Sequence, residues 1–207
     1  MSDIKIISSV NDYYSQKITE NGVSSNGVDW NSIESHYMRF EILTEYIKEE
    51  SFSILDFGCG YGELINFLKN IKKSNFQYIG FDISSKMIEV ALSEFKDFKF
   101  TTDLNSITEK VDYVIANGIF NVKLETSNEV WTEYVLRTLD LLDKYSIKGF
   151  SFNILTNYSD KEYLKSYLYY ADPLYFFDIC KIKYSNYVSL IHDYPLYEFT
   201  INVKKNA

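Results

Sequence analysis

The amino-acid sequence predicts a doubly wound α/β fold, with a mostly parallel seven-stranded sheet, an antiparallel C-terminal hairpin and an N-terminal helical lid. From residue 53 onward, short apolar runs alternate with amphipathic stretches, which is the pattern of βαβ units with helices on both faces of a sheet. The first of these runs leads into a glycine-rich turn, Gly58-Cys59-Gly60-Tyr61-Gly62. The last two runs are separated only by Asp193-Tyr194-Pro195, and a connection that short requires an antiparallel pair of strands.

The individual elements follow from the apolar periodicity. The predicted strands cover residues 53–57, 77–81, 98–101, 112–116, 149–155, 187–192 and 196–203. The predicted helices between them cover residues 63–72, 85–95 and 127–145. Upstream, a helix is predicted over 3–19, a polar loop over 20–29 and a second helix that starts at a capping box, Asn31-Ser32-Ile33-Glu34. We therefore expect a helical lid over residues 1–50 and a Rossmann-like region over 51–207, which together form one structural domain.

Composition limits the classes of partner. The net charge is −8, and the chain has only two arginines, Arg39 and Arg137, which disfavours a nucleic-acid partner because a phosphate backbone needs clustered basic residues. No apolar run approaches the ~20 residues that span a bilayer, and the N-terminus lacks a signal peptide's apolar stretch. Two cysteines and two histidines without ligand spacing predict neither a disulfide framework nor a metal site. The expectation is a cytoplasmic protein without membrane insertion.

The glycine-rich turn indicates a ligand site and limits which ligand it can hold. Glycines let the backbone approach a ligand closely, and the following helix presents unpaired N–H groups. A dinucleotide-binding turn needs a third glycine where this chain has Glu63. A carboxylate there repels a pyrophosphate, but it is compatible with a ligand that has no phosphate and carries a positive sulfonium.

Polar residues follow three further predicted strands. Asp82 can accept hydrogen bonds from ribose hydroxyls, and Asp103 can accept one from an adenine amino group. Asn117 and Gly118 follow the fourth strand. Since the carboxyl ends of parallel strands meet at one edge of the sheet, the sequence predicts one nucleoside-binding site there.

In order and spacing, these motifs resemble those of class I S-adenosylmethionine-dependent methyltransferases of a bacterial small-molecule type. The resemblance covers residues 54–118 and rests on ILDFGCGYG, GFDISSKMI, TTDL and VDYVIANG. It implies S-adenosylmethionine as cofactor, S-adenosylhomocysteine as product and a transferase of the 2.1.1 class that acts on a small-molecule acceptor. The segments GVDWN, ADP and HDYPLY resemble a bacterial subgroup, and this likeness suggests a sugar or an envelope or capsule precursor as acceptor.

The resemblance also implies roles for individual residues. The cofactor-binding residues that it implies are Asp56, Gly58, Cys59, Gly60, Asp82, Ile83, Met87, Asp103, Leu104 and Asn117. In relatives an N-terminal segment folds over the cofactor, and an arginine in it binds the methionine carboxylate. Arg39 is the only arginine before the glycine turn, so we expect either that role or a surface ion pair on an amphipathic helix.

Two histidines are candidates for the base that removes a proton from the acceptor. His192 stands next to Asp193 between the last two predicted strands, and His36 lies in the predicted lid one turn from Arg39. His192 could equally be a hydrogen-bonded turn residue, and His36 could face substrate or solvent. The tyrosine-rich stretch 156–184 is the expected wall of an acceptor pocket.

Two other functions stay open from the sequence. A non-catalytic partner or regulatory module would bind S-adenosylmethionine without turning over any acceptor. An NAD-dependent oxidoreductase would bind NAD but not S-adenosylmethionine, although Glu63 disfavours it.

Overall fold

The computed structural model describes residues 3–21, 32–71 and 75–205. The helices are α1 (Asp3–Asn21), α2 (Ile33–Thr44), α3 (Glu63–Asn70), α4 (Ser85–Glu94), α5 (Asn128–Tyr145) and α6 (Pro173–Lys183). The strands are β1 (Ser51–Phe57), β2 (Asn75–Phe81), β3 (Lys99–Thr101), β4 (Val111–Ala116), β5 (Ser146–Leu155), β6 (Tyr187–Ile191) and β7 (Glu198–Lys204). The polar loop predicted over 20–29 lies outside the described residues from position 22 onward.

The seven strands form one sheet in the order β3-β2-β1-β4-β5-β7-β6. The first five run parallel, whereas β7 is antiparallel to both β5 and β6. The predicted fold class is thereby confirmed, including the reversed C-terminal strand. Asp56 of β1 lies opposite Gly80 of β2 and Ile115 of β4, so the carboxyl ends of these three strands meet at one edge.

A buried cluster covers each face of the sheet, as the alternation of side chains along a strand requires. On one face α5 and α6 pack against β4, β5 and β7 through Trp131, Leu139, Leu142, Phe150, Phe152, Phe176, Phe199 and Ile201. On the other face α2 and α3 pack through Phe40, Leu43, Leu64, Ile65, Ile54 and Tyr113. Neighbouring residues of one strand, such as Ile54 and Leu55, belong to opposite clusters.

Several local predictions were wrong. Ser32 is the N-cap of α2, and its Oγ accepts a hydrogen bond from Ser35 N at 3.1 Å. Glu34 therefore lies at the second helical position and not at the third, where a capping box needs its acid. No helix was predicted over α6, although Asp172 caps it and Pro173 occupies its first turn, an arrangement typical of a helix start. Strand β7 begins at Glu198 rather than at residue 196.

We expect Gly149→Ala to lower the free energy of unfolding by about 2 kcal/mol, the order of an overpacked core position. A Cβ at Gly149 would lie 2.2 Å from Val203 O, a backbone atom of the paired strand β7. Urea unfolding followed by circular dichroism measures the change. Ser189→Ala on the exposed part of edge strand β6 is the control, and an equal stability of the two variants would contradict the packing argument.

Candidate functional site

A pocket opens where β1, β2 and β4 end, and we call it the edge pocket. Its lining consists of Val10, Tyr14, His36, Phe40, Asp56, Phe57, Gly58, Cys59, Gly60, Tyr61, Glu63, Phe81, Asp82, Ile83, Met87, Asn117, Gly118, Ile119 and Tyr134. The structure therefore brings most of the sequence-predicted site residues into one place.

The glycine turn after β1 is held against the end of β2. Gly58 N and Cys59 N both donate to Phe81 O, at 2.7 and 3.0 Å. Gly58 has φ +85°, and a Cβ on it would lie 2.2 Å from Ile119 Cγ2. A side chain at position 58 would therefore be strained and would displace Ile119 from the pocket wall.

The Asp82 carboxylate joins the glycine turn to the start of α4. Its Oδ2 accepts from Gly60 N at 2.9 Å and its Oδ1 from Ser84 N at 2.8 Å. Ser84 caps α4 through its Oγ, so the Asp82 side chain is not the helix cap and, among the described residues, accepts only these two backbone hydrogen bonds. A carboxylate has about four acceptor positions, so each oxygen can still accept one hydrogen bond from a ligand.

Asp56 lies below the pocket surface and is only 2% exposed. Tyr78 Oη donates to its Oδ2 at 2.8 Å. Burial raises the pKa of Asp56 to about 7, with a further contribution from the nearby Asp82 carboxylate. Burial also raises the pKa of Asp82, while its two backbone hydrogen bonds act in the opposite direction.

Two further ionisable groups line the edge pocket. Glu63 accepts hydrogen bonds from Tyr37 Oη at 2.8 Å and from Asn66 Nδ2 at 3.2 Å. His36 stacks against Phe40 with 4.4 Å between ring centroids. Burial and the neighbouring Arg39 charge lower the pKa of His36 to about 3, so its imidazole is neutral at physiological pH.

The Cys59 side chain in the edge pocket is a thiol and not a reactive thiolate. The residue is buried, and its Sγ is 3.5 Å from Gly60 O. Burial raises the pKa of the thiol well above its ordinary value, helped by the Asp82 and Asp56 charges. A protonated thiol is a poor nucleophile.

A buried polar network supports the end of β4, and it consists of Arg39, Glu198, Asn153, Asn117 and Gly118. Asn153 Nδ2 donates to Asn117 Oδ1 at 3.1 Å and to Glu198 Oε1 at 3.0 Å, and Gly118 N donates to Asn153 Oδ1 at 2.7 Å. Arg39 Nε lies 2.8 Å from Glu198 Oε1. Residues of α2, β5 and β7 thereby fix the Asn117-Gly118 turn.

The Arg39 side chain forms a buried ion pair with Glu198, 2.8 Å from Nε to Oε1. Its ion pair with Glu198 is buried, with side chains 9% and 1% exposed, so the surface-pair interpretation is wrong. Its Nη1 also donates to Ser35 O at 3.0 Å. Arg39 lines a second cavity rather than the edge pocket.

Besides Arg39, three predicted site residues lie outside the described lining of the edge pocket. Asp103 is exposed and caps a short 3₁₀ turn by accepting from Asn105 N at 3.0 Å. Leu104 O accepts from Tyr145 Oη at 3.2 Å. His192 is exposed on the β6–β7 connection, with its ring centroid 5.8 Å from that of Tyr158.

An N-terminal helical lid was predicted, but the prediction named no lining residue of α1, and it included no contribution of α5 to the edge pocket. Val10 and Tyr14 of α1 line it, as does Tyr134 of α5. Ile6, Val10 and Tyr14 recur every four residues, which marks one helix face, so a signal for the α1 face was present. Nothing in the sequence around Tyr134 distinguishes it from other half-buried residues of α5.

The second cavity adjoins the edge pocket, and the two share Tyr14 and Gly118. It has a volume of about 630 Å³, against about 120 Å³ for the edge pocket. Its other lining residues are Lys17, Arg39, Asn121, Val122, Leu155, Ser159, Glu162, Tyr163, Lys165, Tyr167, Leu168, Tyr170 and Tyr197.

Within the described ranges, no cluster of His, Cys, Asp and Glu side chains has the arrangement of a metal site. None of the described helices combines the length and the apolarity that a bilayer crossing requires.

Sequence comparisons identify known proteins that this chain is similar to. A family profile described as "Methyltransferase domain" matches residues 48–139. The provisionally assigned methyltransferase Rv1506c of Mycobacterium tuberculosis is 44% identical over 161 residues, which cover 75% of this chain and 95% of that protein.

Solved structures share the fold at low sequence identity. The plantazolicin methyltransferase BpumL, solved with S-adenosylhomocysteine and a desmethyl plantazolicin analogue, has a TM-score of 0.62 at 14% identity and covers 97% of this chain and 98% of its own. The PH0226 protein of Pyrococcus horikoshii has a TM-score of 0.58 at 16% identity and covers 94% and 99%.

We expect Asp56→Asn to stabilise the protein more at pH 8 than at pH 5. The Asp56 carboxyl has a pKa of 3.8 in the unfolded chain and of about 7 in the folded protein. Its contribution to stability is therefore fully present below pH 3.8 and is lost as the pH rises through about 7. Urea unfolding of both proteins at the two pH values measures the difference. A variant effect that is the same at pH 5 and pH 8 would show that Asp56 does not titrate in this range.

We expect Glu198→Ala to lower the free energy of unfolding by about 3 kcal/mol or more, because it leaves the buried Arg39 charge without its partner. The control is Glu133→Ala, which breaks the exposed Arg137–Glu133 pair of α5 and should cost about 1 kcal/mol or less. Chemical denaturation compares the two. Equal losses would contradict the importance assigned to the buried pair.

Proposed function

Because this chain belongs to the methyltransferase family, we propose that it transfers the methyl group of S-adenosylmethionine to a small-molecule acceptor and releases S-adenosylhomocysteine. The observation that carries the proposal is the glycine turn joined to Asp82 in the edge pocket. A sugar or an envelope or capsule precursor is the acceptor class that we propose on the sequence resemblance.

The edge pocket fits an adenosine ligand that carries a positive sulfonium. Each Asp82 oxygen keeps acceptor capacity for a ribose hydroxyl, and Ile83 and Met87 offer apolar contacts to a base. Gly58 lines the edge pocket with backbone alone, and its φ of +85° and the adjacent Ile119 side chain both disfavour a Cβ there. Glu63 in the lining disfavours a pyrophosphate and therefore NAD.

The remaining predicted contacts concern the two ends of the ligand. Asp103 and Leu104 stand beyond the described edge-pocket lining, and we propose that they meet the adenine at its outer end. Asn117 and Gly118, fixed by Asn153, are proposed to face the methyl end. His192 is exposed and lies outside the edge-pocket lining, so we do not propose it as the base.

Methyl transfer is an in-line displacement. When bound, the cofactor would supply the methyl carbon, and its sulfur would leave on the side opposite the attacking atom. The chain's own residues have to align the acceptor and exclude water. Phe40, Tyr14 and Tyr134 surround the pocket with rings, which favours water exclusion. A base with a pKa of about 3 holds a proton weakly, so we propose that neutral His36 orients the acceptor.

We expect S-adenosylmethionine and S-adenosylhomocysteine to bind with micromolar dissociation constants, and Asp82→Ala to weaken both by about 30-fold or more, because a charged hydrogen-bond acceptor is lost. Isothermal titration calorimetry measures both. Asp97→Ala, an exposed acid outside the pocket, is the matched control and should bind like the wild type.

Failure of the wild type to bind either ligand would overturn the proposal, and NAD binding in its place would favour the oxidoreductase interpretation. Binding without methyl transfer to any acceptor would favour the non-catalytic module.

A further inference from the structure

We propose that β6, the strand at one edge of the sheet, is the contact surface of a symmetric dimer in which the β6 strands of two copies of this chain pair antiparallel. The two sheets then form one continuous sheet across a two-fold axis. This inference goes beyond the proposed function and does not depend on it, because neither a cofactor nor an acceptor takes part in the contact.

Strand β6 is open to pairing on its outer side. Among the described residues the sheet ends at β6, which pairs with β7 on its inner side alone. Its sequence, Tyr-Val-Ser-Leu-Ile, contains no charge and no proline, and its register with β7 runs from Tyr187 to Ile191 without a bulge. The charges, prolines and bulges that usually keep an edge strand from pairing are therefore absent from β6.

The opposite edge of the sheet differs from β6. Strand β3 has only three residues, Lys99-Phe100-Thr101, and Lys99 is exposed. A short edge strand that carries a lysine is protected against pairing with another sheet. The contrast singles out β6 as the end at which a second sheet can be added.

The residue order of β6 favours a second copy of the same strand as its partner. In an antiparallel pair centred on Ser189, the middle residue of β6, the two copies of Ser189 lie opposite each other. On one face of the sheet, Val188 then lies opposite Leu190 of the second copy. On the other face, Tyr187 lies opposite Ile191 of the second copy. Apolar pairs of this kind stabilise antiparallel strands, and a strand that matches itself about its middle residue makes the closed contact of a two-fold dimer.

The apolar side chains of β6 have surface that a second strand can cover. Tyr187 is 56% exposed. Val188 and Leu190 pack against the buried cluster on the α5 and α6 face of the sheet, but they stay half-buried, as does Ile191. A strand from a second copy would lie against this remaining surface, and the removal of apolar surface from water is the main favourable contribution to association.

Charges at the two ends of β6 favour the antiparallel direction. Lys181 of α6 donates from its Nζ to Asn186 O, so its ammonium lies just before the beginning of β6. Asp193 is exposed two residues after the end of β6. An antiparallel pair brings the beginning of each strand towards the end of the other, and therefore Lys181 towards Asp193 of the second copy. A parallel pair would bring like charges together at both ends, which disfavours it.

Sedimentation equilibrium of the full-length protein between about 1 and about 100 µM tests the inference. We expect a monomer–dimer equilibrium without larger species, because a two-fold contact is closed. Ser189→Lys places two ammonium groups opposite each other on the axis, and it should raise the dissociation constant of the dimer about tenfold or more. Ser93→Lys, the same change at an exposed position of α4, is the matched control and should dimerise like the wild type.

A charge exchange tests the direction of pairing. Lys181→Asp and Asp193→Lys should each raise the dissociation constant about threefold or more, because each brings like charges together, and the double variant should restore it. Circular dichroism verifies that every variant is folded. A wild type that stays monomeric at about 100 µM, a dimer that Ser189→Lys leaves intact, or a double variant that is weaker than both single variants would overturn the inference.

Discussion

The structure of the site depends on the two hydrogen bonds that the Asp82 carboxylate accepts from Gly60 N and Ser84 N. They join the glycine turn after β1 to the beginning of α4, and the Phe81 carbonyl strengthens the junction by accepting from two N–H groups of the same turn. The turn can therefore hold its left-handed glycines in one geometry without a ligand. The carboxylate that positions the loop is also the group that we assign to the ribose, so loop geometry and ligand recognition depend on the same two oxygens.

A second constraint comes from the far end of the chain. Glu198 is the first residue of β7, and it reaches the end of β4 through Asn153 while it neutralises Arg39 of α2. Because β7 is antiparallel to β5, its first residue lies at the edge of the sheet where the parallel strands end. The antiparallel direction of β7 thus places Glu198 at this edge, since a parallel strand would bring its last residue there instead of its first.

The fold was predictable because apolar periodicity, the glycine turn and the short Asp193-Tyr194-Pro195 connection are all local signals. The cofactor-side residues were predictable for a related reason, since strand ends in a parallel sheet converge on one edge. The hydrogen bonds that Asp82 accepts from backbone N–H groups and the ion pair of Arg39 with a carboxylate were not predictable from the sequence. They depend on which groups tertiary packing brings close to these two side chains. Glu198 lies far along the chain from Arg39, and no local pattern pairs them. Helix α6 was missed although Asp172-Pro173 marks its start, because its aromatic composition was interpreted as a pocket wall.

The division of the chain between the two cavities has an evolutionary consequence. Apart from Tyr134, the described lining of the edge pocket comes from residues up to 119. In the second cavity, eleven of the fifteen described lining residues come after residue 119. Mutations in the later part of the gene can therefore reshape one cavity while the other keeps its lining. Tyr14 and Gly118 are the exceptions, because a change at either position alters the lining of both cavities.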